Sequence, residues 1–159
     1  MKDKRVQIKI REIVDTYFSN SNECIGFTGT FKTYGRFGRV NQDIVIRNNR
    51  NMMNFLNYKI YKNKFRRNKL GVKNFIVIEG GEKKYDKELH IHTIFELPPS
   101  NIISKTDFVR NLKQSFHKTY YANIVKHINS SIDQGWNEYI TKFIFPCDEP
   151  DWQNSNYLI

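Results

Sequence analysis

The chain has 159 residues, 39% of them hydrophobic and 14% aromatic, which argues for one folded domain with a real core. Lysine and arginine number 26 against 16 aspartates and glutamates, and the formal charge of +10 points to a polyanionic partner, nucleic acid before anionic membrane. Cys24 and Cys147 make neither a disulfide framework nor a CxxC pair, and there is no 18-residue apolar run and no signal-peptide core, so a stapled secreted scaffold and a membrane span are not expected and an intracellular setting is. Asparagine, lysine and isoleucine are abundant, and that abundance by itself carries no mechanism.

In chain order, Val6, Ile8, Ile10, Ile13, Val14, Tyr17 and Phe18 predict a helix from about Val6, ended by Ser19-Asn20-Ser21-Asn22. Cys24 to Phe31 reads as a first strand, in which Thr28 and Thr30 share one face and are candidate phosphate contacts, with Lys32 just beyond. Tyr34-Gly35-Arg36-Phe37-Gly38-Arg39 is a glycine-rich, aromatic and basic loop. Glycine admits close backbone approach, while Arg36 and Arg39 suit phosphates and the aromatics suit bases. Residues 41–65 have helical spacing through Ile44, Met52, Phe55, Leu56, Tyr58 and Ile60. The densest positive cluster follows, with Lys59, Lys62, Lys64, Arg66, Arg67 and Lys69. It reads either as a solvated face or as a phosphate-tracking patch.

Residues 71–79 are apolar almost throughout and predict a central strand. A turn over residues 80–87 makes the next stretch, Glu88-Leu89-His90-Ile91-His92-Thr93-Ile94-Phe95-Glu96-Leu97, the returning strand of a hairpin, stopped by Pro98-Pro99. A helix is expected over residues 105–121, with Thr106 as cap and Phe108, Val109, Leu112, Phe116 and Tyr120 as its apolar stripe. A short strand over 122–128 and a last helix over 136–145 complete the order α, β, α, β, β, α, β, α. The expected fold is α+β, an antiparallel sheet with helices mainly on one face. Residues 1–145 form its one domain. Residues 146–159 are a tail, packed back or disordered.

In the returning strand, His90 and His92 point to the same face about 7 Å apart. They are two ordinary surface histidines or two ligands of one metal. The hairpin can bring Glu79 beside them, giving two imidazoles and a carboxylate with positions left open for substrate oxygen. Glu82, in the turn, is the alternative carboxylate. On the last helix Tyr139 borders the stripe of Trp136, Ile140, Phe143 and Ile144, and Lys142 is its neighbour at i, i+3. Packing alone accounts equally for that pair, as a boundary tyrosine and a snorkelling lysine.

Taken together, Phe27-Thr28-Gly29-Thr30-Phe31-Lys32, His90-Ile91-His92 with its upstream acid, and Tyr139-Ile140-Thr141-Lys142 resemble, in order and spacing, the three motifs of the HUH endonucleases, in particular the single-tyrosine Rep nicking domains. The resemblance spans residues 25–143. It implies a five-stranded antiparallel sheet of RRM-like topology and a divalent ion, Mg²⁺ or Mn²⁺, held by Glu79, His90 and His92. Tyr139 would attack a phosphodiester of single-stranded DNA and stay joined to its 5′ phosphate, with Lys142 as a charge-stabilising or positioning partner. The implied task is nicking and joining at a replication origin, in rolling-circle replication of a virus, phage or plasmid, in a bacterial cytoplasm or a eukaryotic nucleus. Members that replicate genomes often carry a helicase domain next. Here the chain ends at Ile159, so it is expected to be a nicking domain alone, a truncated protein, or one that borrows a separate helicase as partner. The alternatives are a single-tyrosine transposase or mobilisation nuclease, a nuclease that uses water in place of Tyr139, and an RRM-like single-strand binder without catalysis.

Overall fold

The longest runs of β-branched and aromatic residues become the strands of one antiparallel sheet, and the amphipathic stretches become helices laid on it. The computed structural model of the chain describes residues 4–18, 23–36, 38–81, 88–130, 136 and 149–156. In chain order these form α1 (Lys4–Tyr17), β1 (Cys24–Phe31), the two-residue strands β2 (Tyr34–Gly35) and β3 (Gly38–Arg39), α2 (Gln42–Tyr61), α3 (Asn63–Asn68), β4 (Asn74–Glu79), β5 (His90–Glu96), α4 (Lys105–His117), β6 (Ala122–Asn129) and β7 (Glu149–Pro150). The fold is α+β. Four full strands lie antiparallel in the order β6-β1-β5-β4. Among the described residues the sheet continues beyond β4 with the two residues of β7, paired with Val77 and Ile78. The strands β2 and β3 form a separate small hairpin. Among the described residues no helix is long and apolar enough to cross a membrane.

Alternation along the strands sorts the side chains into two cores. Ile25, Phe27 and Phe31 of β1, Ile76 and Ile78 of β4, and Leu89, Ile91 and Phe95 join Val45, Met52 and Leu56 of α2 and Phe108, Leu112 and Phe116 of α4. The opposite face is smaller: Cys24, Phe75, Val77 and Ile94 meet Ile10 and Val14 of α1 and Phe18 just after it. Helices α2 and α4 lie on one face and α1 on the other. The spacing of Ile10, Val14 and Phe18 is the apolar stripe of a short amphipathic helix, and burying it needs this second layer. Each buried large side chain contributes roughly 1.5–3 kcal/mol by leaving water. Strand β4 is one place off centre, with β1 and β5 central. It is still buried on both faces, which explains its unbroken apolar run.

Local signals set the helix ends. Asn41 caps α2, its side chain accepting from the Ile44 amide at 3.0 Å. Helix α4 is capped by Ser104, whose hydroxyl accepts from the Asp107 amide at 3.1 Å, and not by Thr106. Thr106 already lies inside the first turn, whereas the extended backbone of Ser104 aims its hydroxyl back at the open amides. The helix ends at His117, so Tyr120 falls in the turn beyond it and is exposed.

Segment 149–156 packs back on the sheet. Besides β7, the Asn156 and Asn74 backbones bond each other in both directions at 2.9 Å. The buried Asp151 accepts from the side chains of Asn49 (2.9 Å) and Asn154 (2.7 Å). Burial pushes its carboxyl above the usual carboxylate value, against those hydrogen bonds.

Two predictions follow from the packing. A Cβ on Gly29 would lie 2.7 Å from Phe116 Cζ, and that ring is wedged against Phe27 and Phe31. Gly29→Ala is expected to cost about 1–3 kcal/mol in urea unfolding; an unchanged midpoint would show that the core gives way. Cys24 is buried, and burial with the charge of Glu96 pushes its thiol up to about 11. At pH 8 only about one thiol in a thousand is then ionised, so in a Cys147→Ser background iodoacetamide should label Cys24 in urea but not in the native protein. Equal labelling in both states would contradict the burial.

Candidate metal centre

Strand register builds the centre. Antiparallel pairing sets His90 opposite Glu79 on one side and Thr30 on the other. Two residues along, His92 stands opposite Val77 and Thr28. Alternation puts Thr28, Thr30, Glu79, His90 and His92 on the α1 face, toward the end of the sheet where β1 and β4 finish and β5 begins. Immediately after Glu79 the chain turns through Gly80 and Gly81, with φ of 86° and 91°, a region that favours glycine.

The three ligand candidates converge. His90 Nε2 lies 3.2 Å and His92 Nε2 3.6 Å from the same oxygen, Glu79 Oε2. One donor atom from each residue falls within 4.8 Å of the others, and all three residues are buried. Burial alone would raise the Glu79 carboxyl, but the hydrogen bonds and charge of His90 and His92 outweigh it and hold that carboxyl well below the usual carboxylate range.

The far side of each ring is also held. His90 Nδ1 lies 2.9 Å from the Glu88 carbonyl oxygen, which can only accept, so Nδ1 carries the proton. In the neutral ring Nε2 then presents a lone pair to an anionic carboxylate. Two lone pairs face each other unless a cation lies between them, either a proton or a metal ion. His92 Nδ1 is 2.9 Å from Thr28 Oγ1, so its Nε2 also turns toward Glu79. Two imidazole nitrogens, each ring held by an outer partner, and a carboxylate oxygen form a group able to hold a divalent metal ion.

Trp136 closes one side. Its ring stands edge-on to His92, centroids 5.9 Å apart at 78°. It lies so close over Gly26 that a Cβ there would come within 2.6 Å of the indole. The glycine in β1 is what lets the indole reach the sheet.

The other sequence-predicted residues are distributed unevenly. Thr28 and Thr30, read as phosphate contacts, are only 4% and 1% exposed. Thr28 bonds His92, and the Thr30 hydroxyl bonds the Ile124 backbone at 3.2–3.3 Å. Lys32, Arg36 and Arg39 lie at the end of the sheet that carries the centre, where Arg39, Gly81, Glu88 and Leu89 line one cleft. Lys62, Lys64, Arg66 and Arg67 are exposed but lie at the other end. Helix α2 separates the two groups. Its start lines a cleft with Gly80 and Leu89, while Asn57 near its finish accepts from the Val72 amide just before β4. Twenty residues of helix span about 30 Å. Tyr139, Lys142 and the alternative ligand Glu82 lie outside the described residues, as does the last helix beyond Trp136.

Sequence reasoning missed two parts of the centre. Thr28 was read as a candidate phosphate contact, and its place beside His92 needed the β1–β5 register. Trp136 was read only as part of an apolar stripe.

Comparison with protein-family models, with curated proteins and with solved structures gives no match.

Metal binding tests the centre directly. Mn²⁺ titration by calorimetry should show one site, lost in His90→Ala and in His92→Ala. Thr28→Val keeps the shape and removes the outer hydrogen bond, and should weaken binding about 10–100-fold. Wild-type affinity in Thr28→Val would remove the orienting role of that hydroxyl.

Proposed function

We propose that the chain is a metal-dependent enzyme that nicks and rejoins single-stranded DNA through Tyr139, a nicking domain of the HUH type. The observation that carries this reading is the convergence of Glu79, His90 and His92 on one point at one end of an antiparallel sheet. Three further features support it. The charge of +10 suits a phosphodiester substrate. The sheet is antiparallel with helices on its faces, which is compatible with an RRM-like plan. Trp136, which rests on His92, precedes Tyr139 by three residues, and three residues of chain span at most about 11 Å.

The chemistry follows from the donor set. A hard or borderline ion such as Mg²⁺ or Mn²⁺ held by the three side chains supplies charge stabilisation at the scissile phosphate and leaves positions for its oxygens. The Tyr139 hydroxyl forms the new bond to phosphorus, the bond from phosphorus to the 3′ oxygen breaks, and the phenolic proton ends on that oxygen. The products are a free 3′ hydroxyl and a 5′-phosphotyrosine. A phenol of pKa about 10 is a weak nucleophile when neutral, so a nearby cation such as Lys142 aids the reaction by favouring phenolate character. Because one phosphoester replaces another, the reverse step rejoins ends. Initiation of rolling-circle replication at an origin is the task such a reaction fits.

The deciding experiment incubates the protein with a broad pool of labelled single-stranded oligonucleotides and Mn²⁺, then separates it on a denaturing protein gel. A labelled adduct is expected, abolished by EDTA and by Tyr139→Phe. Cleavage that survives Tyr139→Phe without an adduct would assign the chemistry to water. No cleavage at all by protein shown to hold the metal would leave a single-strand binder.

A further inference from the structure

The two most exposed large hydrophobic side chains among the described residues are both tyrosines: Tyr34 at 67% and Tyr120 at 61%. Both lie toward the end of the sheet that carries the metal centre, where β1 runs out and β6 begins. Tyr121 links them. The Lys32 amide donates to the Tyr121 carbonyl at 3.0 Å. The Tyr121 ring packs against Gly35 so closely that a side chain there would collide with it, which seats the β2–β3 hairpin and the neighbouring Tyr34 on this turn. The Tyr120 ring stands edge-on to Tyr121, centroids 4.8 Å apart. Lys32 Nζ donates to the Tyr120 carbonyl at 3.2 Å and lies 5.5 Å from the centre of its ring. The backbone and charge around Tyr120 thus hold the ring in place while leaving it open to solvent.

We infer that Tyr34 and Tyr120 form a base-stacking platform for single-stranded DNA beside the metal centre, with Lys32, Arg36 and Arg39 taking the phosphates. The choice of ligand rests on the nicking reading; the platform itself needs no metal. Two open aromatic faces among cations suit an anionic polymer with a flat apolar group on every unit. Duplex DNA buries its bases in the stack and offers none to such rings. An apolar protein partner would gain little from the flanking cations, which it would have to strip of water. Each ring loses little side-chain freedom on binding, since a tyrosine has only two side-chain torsions.

The test is fluorescence anisotropy in EDTA, using a fluorescein-labelled thymidine strand of about 15 nucleotides and an abasic phosphodiester strand of the same length. The variants Tyr34→Leu and Tyr120→Leu keep apolar bulk and remove the ring, and thermal melting confirms that they fold. Each should bind the thymidine strand about tenfold more weakly, and the abasic strand within about twofold of wild type, with the salt slope unchanged. Wild type should prefer the thymidine strand to the abasic one. Equal wild-type affinity for both strands, or leucine variants that bind thymidine like wild type, would overturn the platform. The experiment is independent of cleavage. If no adduct forms with Mn²⁺ but this pattern holds, the nicking reading fails and the platform stands.

Discussion

Everything at the candidate metal centre depends on the register of β5 between β1 and β4. Side chains alternate along a strand, so a slip of one residue would carry His90 and His92 into the core under α2 and α4 and bring Ile91 to Glu79. Hydrophobic burial guards against this slip. Ile91 and Phe95 are fully buried on one face, Ile94 on the other. Moving them would set apolar groups against polar ones along the whole strand. The same packing that stabilises the sheet therefore fixes which imidazoles meet which carboxylate. A buried carboxylate is costly without partners, and here the partners come from the neighbouring strand.

Much of this was legible in the sequence. The alternation around His90-Ile91-His92, the apolar run before Glu79 and the short turn between them predict a hairpin with all three side chains on one face, and the structure has that hairpin. Strand β1 and helices α1, α2 and α4 were also expected from the sequence. What was not legible depends on contacts distant in sequence. Thr28 and Thr30 look like surface threonines until β5 and β6 are placed beside them. The asparagines looked like composition without mechanism. Yet Asn48 bonds Thr119, Asn49 bonds Asp151, and Asn57 holds the Val72 amide. They lie on the buried stripe of α2 with Met52 and Leu56. Periodicity in hydrophobic residues alone cannot see a helix face that is half amide.

The positive charge divides into two regions with different surroundings. Lys32, Arg36 and Arg39 sit where backbone turns, exposed tyrosines and the ligand cluster meet. Lys62, Lys64, Arg66 and Arg67 ride on a short helix with no buried residue, at the far end of α2. Screening at physiological salt acts over about 8 Å, far less than the length of α2. The two regions therefore act as separate positive patches.

The returning segment at residues 149–156 has a consequence for how the chain is handled. Residues 149–156 pair with the outer side of β4, and the buried Asp151 among them accepts from the side chain of Asn49. Shortening the protein before residue 149 would unpair the outer side of β4 and take Asp151 from Asn49. A fusion partner added beyond residue 156 would leave both contacts intact.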